Sequence, residues 1–180
     1  MSSVAGDKAT SVGEYAATSS LSCSCDAQTG CSFESILAQN GFLTYRIAGV
    51  SMMPMVRQFQ DAVTIETIER CRGKGARAQV GDVVMFKRAG GTYVLHRVVR
   101  VTEAGYITRG DNCAYADAPI TPDQLLGIMT RFTRGKKEHR ENDRLARAFA
   151  AAAPVHRAFA RARQTVRCAV SAAKSRLKRI

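Results

Sequence analysis

Asp82-Val83-Val84-Met85-Phe86-Lys87, then Ala89-Gly90-Gly91, then Thr92-Tyr93-Val94-Leu95-His96-Arg97-Val98-Val99-Arg100-Val101 is the stretch that decides the fold. Both runs are rich in β-branched and aromatic residues, and the Gly pair between them supplies a tight turn. They read as a hairpin. In the second run Tyr93, Leu95 and Arg97 face one side, and Val94, His96 and Val98 the other. Outward from this hairpin, Leu43–Ala48, Ala62–Glu66, Tyr106–Arg109 after Ala104-Gly105, and Leu126–Phe132 are further short strands. Six strands separated by turn signals predict an antiparallel, barrel-like or coiled β domain. Before it, residues 33–40 read as a short amphipathic helix, with Ser32 as N-cap and Asn40-Gly41 as the stop.

The flanks differ from this body. Residues 1–32 are Ser, Ala, Thr and Gly with few apolar residues, the composition of a flexible leader. Residues 134–180 are dominated by Ala, Arg and Lys, which are good helix formers. Leu145, Phe149 and Ala152 recur at helical spacing. Pro154 is expected to interrupt, with a second helix from Val155 carrying Phe159, Val166, Val170 and Leu177. The division is therefore a leader over 1–32, a β domain over 33–133 and a basic helical tail over 134–180. The body is expected to fold without the tail.

The chain has 180 residues, 46% of them apolar, and a formal charge of +12. That length holds one modest core. The charge is not spread evenly: residues 134–180 carry 14 Lys/Arg against 3 Asp/Glu, and the rest carries 13 against 12. The basicity thus belongs to the tail. An anionic membrane surface, or an acidic protein, is the partner such a tail fits. Nucleic acid is not expected, because no aromatic residues are interleaved for base stacking. No charge-free stretch approaches the roughly 18 residues of a spanning helix, and no signal peptide is visible. A cytoplasmic location, peripheral at a membrane, is the expectation. The cysteines Cys23, Cys25, Cys31, Cys71, Cys113 and Cys168 then read as free thiols. Cys23, Cys25 and Cys31 match no common metal spacing, so neither metal nor cofactor is assigned.

Three segments carry possible chemistry. Ile47-Ala48-Gly49-Val50-Ser51-Met52-Met53-Pro54-Met55 places a serine on a bend between a Gly and a Pro. His96 lies in the long strand, and Arg109-Gly110-Asp111-Asn112 is followed by Asp117. Singly these are a turn serine, a core histidine and a Gly-Asp-Asn turn. In order, Gly-x-Ser-Met-x-Pro, Gly-Asp-Val-Val-x-Phe, His-Arg-Val and Gly-Asp-Asn span residues 49–112, and together they resemble the signal peptidase I superfamily. That superfamily includes the inner-membrane peptidases of mitochondria and the self-cleaving LexA-type repressors. The resemblance covers about residues 42–132.

The resemblance implies the signal peptidase/LexA C-terminal type of fold and a serine endopeptidase that cleaves leader or signal peptides. It implies Ser51 as nucleophile and His96 where most bacterial members carry a lysine. Asp111 or Asp117 would assist, while Asp82 belongs to a motif that looks structural. The residue types suit the task. A serine hydroxyl needs a base, a neutral imidazole serves near pH 7, and an aspartate behind it fixes the tautomer. The Ser51 N–H is the expected oxyanion donor. Met52, Met53 and Met55 line a substrate groove or fill the core. Lys87 is the rival base, and activity is expected to rise through an ionisation near pH 6–7. Gly49 stands where signal peptidases often carry a second oxyanion serine, and Gln60-Asp61 replaces a usual Gly-Asp. A non-catalytic peptide-binding module on the same fold is the competing reading.

Overall fold

The computed structural model describes residues 32–177, with side chains through Ser171. The expected leader, with Cys23, Cys25 and Cys31, lies outside the described residues. Helix α1 (Phe33–Asn40) has the expected ends. Ser32 Oγ accepts from the Ser35 N–H at 3.2 Å, and Gly41 closes the helix at φ 73°. Seven strands follow: β1 (Phe42–Arg46), β2 (Ala62–Glu66), β3 (Val83–Lys87), β4 (Tyr93–Thr102), β5 (Gly105–Arg109), β6 (Leu125–Arg134) and β7 (Lys137–Arg140). A five-residue helix, α2 (Ile68–Arg72), sits between β2 and β3, and α3 (Arg144–Leu177) ends the described chain.

All pairings are antiparallel, in the order β1-β2-β6-β3-β4-β5, with β7 also on β6. The first and last strands of that order do not pair. The sheet is open, and the expectation of a barrel is corrected. Strand β6 organises it. One edge of β6 takes β2 through residues 128–132, while β3 takes residues 125–128 and β7 residues 131–134 of the other. The β7 strand was not expected. Its four residues, Lys-Glu-His-Arg, carry no apolar alternation. What holds it is the turn at Gly135 (φ 64°) and the stacking of His139 on Phe132 at 5.4 Å.

The expected β3–β4 hairpin is present, with Val84 opposite His96 and Met85 opposite Leu95. Alternation in β4 sends its apolar residues into two cores. Leu95, with Tyr93 against it, joins the larger one around Val63, Ile65, Met85, Met129 and Phe132. Val98, with Val94, joins the smaller one around Val84, Phe86, Tyr106 and Ile128. Met52 and Met55 are 1% exposed in the larger core, which makes them core residues rather than groove lining.

Helix α3 runs through Pro154 without a break, against expectation. Proline removes one backbone donor and crowds the preceding turn, at roughly 3 kcal/mol in an isolated helix. Tertiary seating offsets this: Ala146, Ala153 and Ala160, at seven-residue spacing, are buried on both sides of the proline. Ala146 is part of the larger core, and Leu145 and Phe149 pack against it. The first turns of α3 therefore pack on the body. No helix among the described residues is long and apolar enough to cross a membrane.

Candidate functional site

Ser51 lies on the turn after β1, held from three sides. The Asn112 N–H donates to the Ser51 carbonyl at 2.8 Å, and Asn112 Nδ2 donates to the Val50 carbonyl at 3.2 Å. Arg134 Nη1 donates to the carbonyls of Pro54 and Met55. Beneath, Met52, Met55 and Val56 anchor the turn in the core. Farther along, Arg57 clamps the buried Asp61 through Nε (2.9 Å) and Nη2 (2.7 Å), so Asp61 closes the loop and takes no part in the site. Ser51 is half-buried, and its N–H donates to no group among the described residues. That donor is free to meet an oxyanion.

His96 is 6% exposed, in the middle of β4. Its Nδ1 is 2.6 Å from Asp117 Oδ2. Asp117 is itself fixed by Thr108 Oγ1 at 2.8 Å and Arg88 Nη2 at 2.6 Å. Burial alone would hold the imidazole neutral. The Asp117 carboxylate, helped by the Cys113 thiol, overrides burial and lifts its pKa to about 9. Burial is the largest influence on the Asp117 carboxyl and pushes it up, but His96, Thr108 and Arg88 together outweigh it and keep it below the usual range.

The two aspartates have separate partners. Asp117 faces His96. Asp111, 1% exposed, takes Arg97 Nε at 3.0 Å and Arg97 Nη2 at 2.7 Å. His96 and Arg97 are adjacent in a strand and point to opposite faces, so their carboxylates are separated as well. Asp82 is bound by Arg72 at 2.6 and 2.7 Å and by the Gln79 N–H at 2.6 Å, at the base of the hairpin. Lys87, the rival base, is 2.6 Å from Glu34 of α1. The Glu34 hydrogen bond outweighs desolvation and raises the Lys87 pKa, which makes it a poorer base.

Two residues of the centre had no assigned role in the sequence. A Cβ on Gly110 would stand 2.7 Å from the Ser51 carbonyl oxygen, 3.0 Å from His96 Nε2 and 2.6 Å from Cys113 Sγ. The absent side chain is what lets the serine turn, the imidazole edge and the 110–113 loop converge. Cys113 Sγ lies 4.0 Å from His96 Nε2. Ser51 Oγ makes no hydrogen bond to that nitrogen. An ordered list of motifs cannot give such a proximity, because Cys113 reaches the imidazole only through the tight turn after β5.

Helix α3 lies along the same loop. Arg157 Nη2 is 3.4 Å from Asp111 Oδ1, Arg161 Nε donates to the Ala114 carbonyl at 3.1 Å, and Arg163 Nη2 donates to Asn112 Oδ1 at 2.6 Å. Between helix and loop is a cleft of about 720 Å³, with Val50 and Ala114 on one wall and Ala160, Arg163 and Arg167 on the other. Among the described residues Cys71, Cys113 and Cys168 are free thiols, and no three His, Cys, Asp or Glu side chains cluster as a metal site. No known family matches this chain, and no curated protein matches its sequence.

Proposed function

We propose that this chain is a serine endopeptidase of the signal peptidase/LexA type, which cleaves leader or signal peptides through Ser51 and His96. The observation that carries the reading is the buried His96–Asp117 pair. Its Nε2 edge, 4.0 Å from Cys113 Sγ, is turned to the point above Gly110 where the Ser51 turn also arrives. In the reaction Ser51 Oγ attacks the scissile carbonyl and its proton passes to His96 Nε2. The Ser51 N–H receives the oxyanion. The imidazolium then protonates the leaving amine, and water hydrolyses the acyl-enzyme by the same steps reversed. Asp117 holds the Nδ1–H tautomer and steadies the imidazolium. No cofactor is called for.

A fluorophosphonate probe tests this. It should label Ser51 in the wild-type chain and nothing in Ser51→Ala, and an unlabelled wild type would favour the peptide-binding module. The pH dependence is a second readout. Base catalysis needs neutral imidazole, and His96 loses its proton only near pH 9. The labelling rate should therefore climb through pH 7 and 8, stand at half its limit near 9 and level off only above that, later than the sequence suggests. The raised pKa also sets a stability trend. The contribution of the pair is complete below about pH 6.5 and is lost as pH rises through about 9. A labelling rate already flat at pH 7 would overturn the charged resting state.

A peripheral membrane location at the cytoplasmic face fits α3. Val155, Phe159, Val166 and Val170 are all exposed, Phe159 at 66%. At 3.6 residues per turn they fall within an arc of about 60°. Arg163 and Arg167 lie on one side of that arc, toward the cleft. An exposed apolar stripe beside basic residues suits an anionic bilayer surface. Phe159→Ser/Val166→Ser in the full chain should weaken sedimentation with phosphatidylglycerol vesicles about tenfold or more, with little binding to phosphatidylcholine by either protein. Equal sedimentation of variant and wild type would remove the membrane from the reading.

A further inference from the structure

We propose that Arg109, Arg157 and Arg161 form a carboxylate-binding site beside Ser51 and His96, which receives an acidic residue of the peptide substrate. The inference rests on the peptidase reading and names the substrate class. It begins with an imbalance of charge. Arg109 ends β5, immediately before Gly110. Arg157 and Arg161, one helical turn apart on α3, lie against Asp111 and Ala114 of the loop that follows. Asp111 is the acid of this group, and both its oxygens already serve Arg97 at 3.0 and 2.7 Å. Arg157 shares one of them only at 3.4 Å. Neither Arg109 nor Arg161 makes an ion pair among the described residues.

The guanidinium groups are also incompletely bonded. The Nε atoms of Arg109 and Arg157 are buried and have no hydrogen-bond partner among the described residues, and the Arg157 side chain is only 13% exposed. Leaving a buried donor unpaired is costly, more so on a charged group. Burial, and then repulsion from Arg157 and Arg161, pushes the Arg109 guanidinium below its ordinary range. A bound anion relieves all of these at once. Guanidinium forks match the two oxygens of a carboxylate, and such bonds are among the stronger ones in proteins.

Arg161 donates to the carbonyl of Ala114, which lines the cleft between α3 and Val50, one residue before Ser51. The small apolar walls of Val50, Ala114 and Ala160 suit the body of an extended peptide. An acidic side chain near the cut would then reach the arginines. Arg157 and Arg161 belong to the helix side that faces the body, opposite the exposed Val155 and Phe159.

The test uses the full chain and three probes: triglutamate, triglutamine and inorganic phosphate, each read by thermal shift and calorimetry. Triglutamate should bind saturably and triglutamine should not. Arg161→Gln and Arg109→Gln should each weaken triglutamate about tenfold or more. Arg161 is exposed, so its substitution leaves the fold intact, as circular dichroism checks. Arg46→Gln, on the exposed edge strand, should change nothing. The proposal is overturned by equal binding of the two peptides, by an unaltered affinity in both arginine variants, or by phosphate binding without triglutamate binding. Binding does not require Ser51. Selective triglutamate binding by a protein that no serine probe labels would defeat the peptidase reading and leave the anion site standing.

Discussion

Asp117→Asn should lower turnover by roughly three to four orders of magnitude while the protein stays folded. Asparagine keeps the shape and places an amide against His96 Nδ1 in place of the carboxylate at 2.6 Å. The Nδ1–H tautomer is then no longer enforced, and the imidazolium loses its counter-charge. Ser51→Ala and His96→Ala should be at least as severe. The double variant should be little worse than either single one, because nucleophile and base act as a unit. Two controls bear on the assignment. Lys87→Ala should retain activity, since Lys87 is held by Glu34 across from α1. Cys113→Ala should retain it as well if Ser51 is the nucleophile. Should Cys113→Ala be dead and Ser51→Ala active, the imidazole at 4.0 Å serves the thiol and the serine assignment fails. Turnover of a leader peptide, with urea unfolding of each variant, supplies both readouts.

The parts of this architecture that the sequence announces are those with a local cause. The β3–β4 hairpin follows from alternation and a Gly pair, and α1 follows from its two caps. The choice between Asp111 and Asp117 has no local cause. Asp111 lies in the Gly-Asp-Asn turn and Asp117 follows it closely, and only the pleat of β4 separates their roles by sending His96 and Arg97 to opposite faces. Helix α3 misleads for a related reason. Proline is a local veto, and seating of Ala146, Ala153 and Ala160 on the body is a tertiary answer to it. Cys113, Gly110 and the three arginines escape notice because their meaning is proximity. Arg109 and Arg157 are 48 residues apart, and nothing in either segment points to the other.

Asp111→Ala should act on stability where Asp117→Asn acts on rate. Asp111 is 1% exposed and binds both Arg97 Nε and Arg97 Nη2. Arg97, itself buried, has as its other oxygen partner the Gly81 carbonyl at 2.8 Å. Removing the carboxylate leaves a guanidinium in the protein interior without counter-charge, and such losses cost about 3–5 kcal/mol. It also takes from Arg157 its ion-pair partner among the described residues, next to Arg109 and Arg161. The urea midpoint should fall accordingly, with the unfolding slope unchanged. Any loss of activity should follow the loss of folded protein. The paired replacement Arg97→Met/Asp111→Leu separates charge from packing. It removes both ions at similar volume and should recover much of the stability that the single substitution loses. An unfolding free energy for Asp111→Ala within about 0.5 kcal/mol of wild type, the range of ordinary surface changes, would show that this ion pair does not hold the 110–113 loop against β4.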